Sequence, residues 1–121
     1  MFSINNSLFI YILGATTYSL IEILWRGYSH ISMFFIGGFC FLLLYKLSSF
    51  PYPIALLALI GSIIITFVEL CGGLIFNKIL HLSVWDYSQM PLNFMGQICV
   101  SYSFAWFFLS FIAIILFRKF F

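Results

Sequence analysis

Charged residues are scarce in this chain of 121 residues, since aspartate, glutamate, lysine and arginine together make up 7% of it. A soluble domain carries about 25% of such residues, so this chain lacks the polar surface that water requires. The net charge is only +2 and no run of basic residues occurs, which argues against a nucleic-acid partner. The shortage of charge therefore predicts an integral membrane protein surrounded by a lipid bilayer.

Metal-binding and catalytic motifs are also missing. The three cysteines, Cys40, Cys71 and Cys99, show no CxxC or Cys/His ligand spacing, and we interpret them as packing residues. His30 and His81 do not form an HxxxH or HExxH pattern. We therefore predict no metal site, no cofactor and no catalytic residue. The start of the chain lacks the basic segment and cleavage site of a signal peptide, so its first apolar run is expected to remain as a helix.

Apolar runs dominate what is present. Hydrophobic residues make up 64% of the chain, and the mean hydropathy is +1.18. The runs cover residues 4–24, 32–47, 54–77 and 92–117, and all but the second reach the ~20 residues needed to cross a membrane. The sequence shows neither the ten-residue segments of alternating hydrophobicity that a membrane β-barrel has nor the polar helix faces of a soluble helical bundle. We predict one domain, residues 1–121, that is an all-α integral membrane protein with four transmembrane helices.

The positions of lysine and arginine predict the orientation. With four spans, both termini and the connection at residues 48–53 lie on one side of the membrane. That side carries Lys46, Arg118 and Lys119, whereas Arg26 and Lys78 lie on the other. The excess predicts that both termini are cytoplasmic, in the cytoplasmic membrane. Because the excess is small, dual topology is an alternative.

The two halves of the chain resemble each other. Residues 28–37, YSHISMFFIG, align without gaps to residues 87–96, YSQMPLNFMG, with identical Tyr, Ser, Phe and Gly. This similarity predicts two repeated helical hairpins related by a parallel pseudo-two-fold axis along the membrane normal. Chance similarity between two apolar segments is the alternative.

Polar side chains recur at helical spacing inside the predicted spans. On the third span they fall on one face: Ser62, Thr66, Glu69, Gly73 and Asn77. On the fourth, Asn93, Gln97 and Ser101 follow at i, i+4 and i+8, while Glu22 and Arg26 on the first have the spacing of an ion pair. Helix packing explains the amide stripe equally well, and an interfacial pair explains Glu22 with Arg26.

Carboxylates inside a membrane require compensation. A charge at the centre of a transmembrane helix costs about 2.5–3.5 kcal/mol on insertion scales, so it needs a partner, a proton or a solvated cavity. We predict a polar pocket on one side of the membrane, covered by the connection at residues 85–91. The alternative role for Asp86 is a helix or turn cap. The predicted binding residues are Glu22, Arg26, Glu69, Asn77, Trp85, Asp86, Tyr87, Asn93, Gln97 and Ser101.

These residues also carry a family resemblance. The run from Glu69 through Gly73 and Asn77 to the WDYS element at residues 85–88 and NFMG at residues 93–96 resembles one membrane family. That family is called putative ABC transporter type IV, or CmpB-like, and the animal proteins called transmembrane protein 229 are similar. The resemblance implies a four-helix membrane domain. No Walker A loop supports the transporter label.

Three functions compete. The first is binding or transport of a small solute or cation at Glu69, in a homo-oligomer, with a dimer favoured because four short helices enclose little volume. The second is an accessory subunit that docks a partner protein or lipid through its polar face. The third and least favoured is an intramembrane enzyme using Glu69 and Asp86 as acid and base, since no nucleophile–base pair is evident.

Overall fold

A computed structural model describes residues 4–27 and 29–121, without the side chains of residues 4, 5 and 26. The described part contains four α-helices: α1 Ile4–Arg26, α2 Ile31–Ser48, α3 Ile54–Gly73 and α4 Val100–Phe120. A π-helical segment, Leu74–Ile79, continues α3, and an antiparallel hairpin of β1 Asn93–Phe94 and β2 Ile98–Cys99 leads into α4. Residues 80–92, between the π-helical segment and β1, are called the connection below.

All four helices are long and apolar enough to cross a membrane. Large hydrophobic side chains lie exposed along them, including Leu24, Phe67 and Phe104. Such surfaces are solvated by lipid and not by water, because burying them is what drives soluble chains to fold. The predicted fold class is therefore confirmed: the protein is an all-α integral membrane protein with four transmembrane helices.

The chain divides into two compact units, and α4 contributes to both. The first unit contains the described residues up to Tyr52 together with Ala113–Phe121, and the second contains Pro53–Ile112. In the first unit α1 packs closely on α2. A Cβ atom at Gly37 would lie 2.7 Å from Cβ of Tyr18, so this crossing requires glycine.

The end of α4 is fastened within the first unit by Arg118. Its Nε donates to the carbonyl of Ser48 at 3.1 Å, and its Nη2 donates to the carbonyls of Phe50 and Tyr52, both at 2.7 Å. The side chain thereby satisfies carbonyls at the end of α2 and in the turn that follows, which have no helical partner.

The helix bounds correct the sequence prediction at one place. The fourth helix begins at Val100 and not at residue 92, because Leu92 and Met95 have φ values of 55° and 56°, which interrupt a right-handed helix. The repeat and its symmetry axis remain predictions. Their aligned segments differ locally, since Ile31 starts a helix whereas residues 90–96 form turns and a strand.

Candidate functional site

The polar face predicted on α3 contacts α4 in the second unit. Ser62 Oγ donates to the carbonyl of Ser103 at 2.7 Å, and Thr66 Oγ1 lies 2.8 Å from Ser103 Oγ. These hydrogen bonds hold the two helices side by side along the turns of α3 that precede Glu69. Interhelical hydrogen bonds of this kind contribute about 0.6–2 kcal/mol each in membranes.

Glu69 lies one turn further along α3 and is buried, with 5% of its surface exposed. Its Oε2 accepts a hydrogen bond from the hydroxyl of Tyr87 at 2.9 Å, and its Oε1 accepts from Nε1 of Trp106 at 3.3 Å. Tyr87 belongs to the connection, whereas Trp106 belongs to α4. The carboxylate therefore joins three segments of the second unit.

Aromatic rings surround this carboxylate. The ring of Tyr87 stacks on that of Tyr102, with centroids 4.8 Å apart and an interplanar angle of 11°. Tyr102 is in turn 6.4 Å from Trp106, tilted by 38°. Because Tyr102 and Trp106 are four residues apart on α4, they share one face of that helix. We call Glu69, Tyr87, Tyr102 and Trp106 the Glu69 cluster.

A second group, the amide cluster, forms where α3 ends. Asn77 Nδ2 donates to Oε1 of Gln97 at 2.8 Å, and its Oδ1 accepts from the backbone N–H groups of Val84 at 2.7 Å and Trp85 at 3.3 Å. Gln97 Nε2 donates to the carbonyl of Met95 at 3.0 Å, while the indole Nε1 of Trp85 donates to the carbonyl of Gln97 at 2.9 Å. These five residues fasten the connection and the hairpin to the π-helical segment.

The approach of Gln97 depends on Gly73. A Cβ atom at this position would overlap Oε1 of Gln97 and lie 2.9 Å from its Cβ atom. Glycine at position 73 thus leaves the space that the buried amide occupies.

Turns shape the rest of the connection and the hairpin. The exposed Asp86 accepts from the backbone N–H of Ser88 at 2.9 Å. The backbone and side-chain hydrogen bonds from Ser88 lower the pKa of Asp86 from its ordinary value, with a smaller contribution from the charge of Lys78. Asn93 Nδ2 donates to the carbonyl of Met90 at 2.8 Å, and its Oδ1 accepts from the N–H of Gly96 at 3.1 Å. Asp86 and Asn93 therefore stabilise turns.

The structure distributes the ten predicted residues over several places. Glu69 and Tyr87 lie in one cluster, and Asn77, Trp85 and Gln97 lie in the other. Ser101 is exposed at the start of α4. The expected helical stripe of Asn93, Gln97 and Ser101 is not formed, because Asn93 lies in β1 and Gln97 lies in the turn between the two strands. Glu22 is buried on α1 in the first unit, and the side chain of Arg26 lies outside the described residues.

Three contact residues were not among the predicted ones: Tyr102, Ser103 and Trp106. Their spacing could have identified them. Tyr102 and Trp106 are four residues apart and Ser103 and Trp106 are three apart, which places these side chains on one face of an otherwise apolar helix. In the part of the chain that the structure describes, no three His, Cys, Asp or Glu side chains form a group that could hold a metal ion.

The comparisons with known proteins agree with this architecture. No curated protein and no solved structure matches the chain. The model of one family, described as "Putative ABC-transporter type IV", matches residues 9–121 and so includes both clusters. The description of this family and the four apolar helices fit a role in membrane transport. The resemblance seen in the sequence is confirmed: the chain belongs to the family Putative ABC-transporter type IV.

Proposed function

We propose that this protein binds a small solute or cation at Glu69 and transports it across the membrane. The observation that carries the proposal is a carboxylate, 5% exposed, on a helix apolar enough to span the bilayer. Ionisable groups at such depth are expensive and are generally retained for binding or for ion and proton pathways. A dedicated binding group explains why Glu69 occupies this position.

The contacts of Glu69 also provide a way to open the site. Its Oε2 is bound by Tyr87, which comes from the connection and not from a transmembrane helix. Exchange of the Tyr87 hydroxyl for a ligand would replace one hydrogen bond of the carboxylate without breaking the helix contacts of Ser62 and Thr66. The amide cluster holds the connection on one side of Tyr87 through Trp85, so a movement of the tyrosine need not displace the whole segment.

The predicted orientation and assembly complete the proposal. Both termini would face the cytoplasm, which places the connection on the opposite side of the cytoplasmic membrane. Four helices enclose little volume, so we propose a homodimer that completes the path for the solute.

A docking role is the second candidate, and the hairpin favours it. Leu92 is 76% exposed, and Phe94 and Met95 are 55% and 52% exposed. Apolar residues at the tip of a loop fit a partner protein or a lipid surface. An intramembrane enzyme is less favoured, because Asp86 is exposed and accepts its hydrogen bond from Ser88 within its own turn.

The test is ligand-dependent stabilisation of the purified protein in lipid nanodiscs. A ligand that binds only the folded state adds about 2.7 kcal/mol at 100 times its Kd, which gives a measurable rise in Tm. We expect small solutes and cations that raise Tm in the wild type and in Ser101→Ala to have no effect on Glu69→Gln. Glu22→Gln serves as the matched control for loss of a buried carboxylate. Equal stabilisation of Glu69→Gln and wild type contradicts binding at Glu69.

A further inference from the structure

We infer that the ligand of the Glu69 cluster is an organic ammonium ion, held between the Glu69 carboxylate and the ring face of Tyr102, next to Trp106. This inference rests on the proposed function and specifies its substrate class. An ammonium group on a carbon skeleton carries both a positive charge for the carboxylate and a surface that aromatic rings attract.

Tyr87 occupies the two positions that such an ion would use. Its hydroxyl donates to Oε2 of Glu69 at 2.9 Å, and its ring covers one face of Tyr102 at 4.8 Å. When Tyr87 moves away, its hydrogen bond to Oε2 and its stacking contact with Tyr102 are given up together, and an organic ammonium ion would replace both. The tyrosine thus substitutes for a cation, since its hydroxyl hydrogen is partly positive and its ring fills the space over Tyr102.

Trp106 is the other aromatic residue that contacts the carboxylate. Trp106 donates its indole N–H to Oε1 of Glu69 at 3.3 Å, which fixes the second carboxylate oxygen and orients the indole ring. Its centroid is 6.4 Å from that of Tyr102 on the same helix face. A cation within about 6 Å of a ring centroid is attracted by the ring, and tryptophan and tyrosine attract more strongly than phenylalanine. All three rings are only partly buried.

The same residues do not suit calcium or magnesium. Calcium takes six to eight oxygen ligands, and magnesium requires an octahedral set. The cluster offers one carboxylate and phenol hydroxyls, and its other partner for the carboxylate is an indole N–H, which is a donor only. Ring faces and one carboxylate are instead the groups that recognise quaternary ammonium ions.

The probe is tetramethylammonium chloride, measured by isothermal titration calorimetry on the full-length protein in lipid nanodiscs. Methylammonium, Na⁺, K⁺ and Ca²⁺ chlorides are titrated in parallel, with choline and its uncharged carbon isostere as a pair that differs in charge alone. We expect tetramethylammonium and choline to bind and the uncharged isostere not to bind.

Ring variants separate a binding role from a structural one. Removal of one desolvated cation–π contact in Tyr102→Leu should weaken the Kd roughly 5- to 30-fold, whereas Tyr102→Phe should change it by less than about threefold. Tyr87→Phe removes the hydroxyl that competes for Oε2 and should tighten binding. If Tyr102→Leu does not fold, Trp106→Phe takes its place, with a smaller expected loss.

Each outcome decides between the inference and the proposed function. Binding of tetramethylammonium that is lost in Glu69→Gln and weakened in Tyr102→Leu supports both. Glu69-dependent binding of Na⁺, K⁺ or Ca²⁺ without binding of tetramethylammonium overturns the inference and leaves the proposed function standing. Equal affinity for choline and its uncharged isostere also overturns the inference. If no cation or solute shows Glu69-dependent binding, both fail.

Discussion

Replacing Asn77 by alanine removes the side chain that joins the π-helical segment to the connection. The wild-type amide donates to Oε1 of Gln97 and accepts from the backbone N–H groups of Val84 and Trp85. Alanine fills little of the space and provides neither a donor nor an acceptor. The variant therefore tests whether the amide cluster holds this segment in place.

The magnitude follows from the burial of the groups that lose a partner. Val84 and Gln97 are each 3% exposed, so the backbone N–H of Val84 and the side-chain Oε1 of Gln97 lose their bonds to Asn77 in a nearly dry environment. A buried polar group left unsatisfied costs about 1–3 kcal/mol. The third bond, to Trp85, is longer at 3.3 Å and contributes less. Two such groups set the expected loss. Water that enters at the helix end would partly satisfy them and lower the cost. We therefore expect Asn77→Ala to reduce the free energy of unfolding by about 2–4 kcal/mol.

The assay is unfolding of the detergent-solubilised protein by increasing mole fraction of sodium dodecyl sulfate, followed by tryptophan fluorescence. Ser101→Ala is the matched control, because it removes an exposed polar group from the start of α4. Asn77→Asp adds a second test, since it keeps the acceptor for Val84 but loses the donor to Gln97. A change below about 0.5 kcal/mol for Asn77→Ala, within the range of ordinary surface substitutions, would refute the reasoning.

Two further substitutions test the local geometry by the same unfolding assay. Gly73→Ala should destabilise the protein by about 1–3 kcal/mol despite the better helix propensity of alanine, because the new Cβ atom would overlap the buried Gln97 side chain; a stability gain would contradict this close approach. Leu92→Gly should leave stability unchanged or raise it by up to about 1 kcal/mol, since Leu92 is 76% exposed and has a φ of 55°, which glycine adopts without strain; a clear loss would show that the exposed leucine itself contributes packing.

The helices and the polar face of α3 were predictable from the sequence because both depend on local patterns. Runs of apolar residues mark a membrane span whatever their neighbours are, and the four transmembrane helices follow from them. Likewise, the steps of three and four residues from Ser62 to Asn77 place these side chains on one side of a helix.

The entry into α4 was not predictable in the same way. Residues 92–99 are apolar enough to extend the span, yet Leu92 and Met95 adopt left-handed conformations that their side chains disfavour. Gln97, within this segment, is bonded to Asn77 and Trp85, which lie outside it and which a local pattern does not include. Helical spacing alone therefore assigned Asn93 and Gln97 to a helix that starts only at Val100.

The partners of Glu69 were partly predictable for a related reason. Tyr87 was expected near the carboxylate because residues 85–91 were predicted to cover the polar pocket. Trp106 lies 37 residues away along the chain and comes from a later helix, so its position depends on how α4 packs and not on any local pattern. The register between two helices is a tertiary property.

The three hydrogen bonds of Arg118 have a consequence for engineering the orientation of the protein. This residue is one of the few cations that would determine which way the chain inserts, and the same guanidinium binds three carbonyls at the turn after α2. Lysine at this position would retain the charge read during insertion but could not present the same planar fork of donors. Moving this charge to reverse the membrane orientation would therefore also remove the three hydrogen bonds that hold the end of α4. A misfolded variant would then not show whether the orientation of insertion had changed.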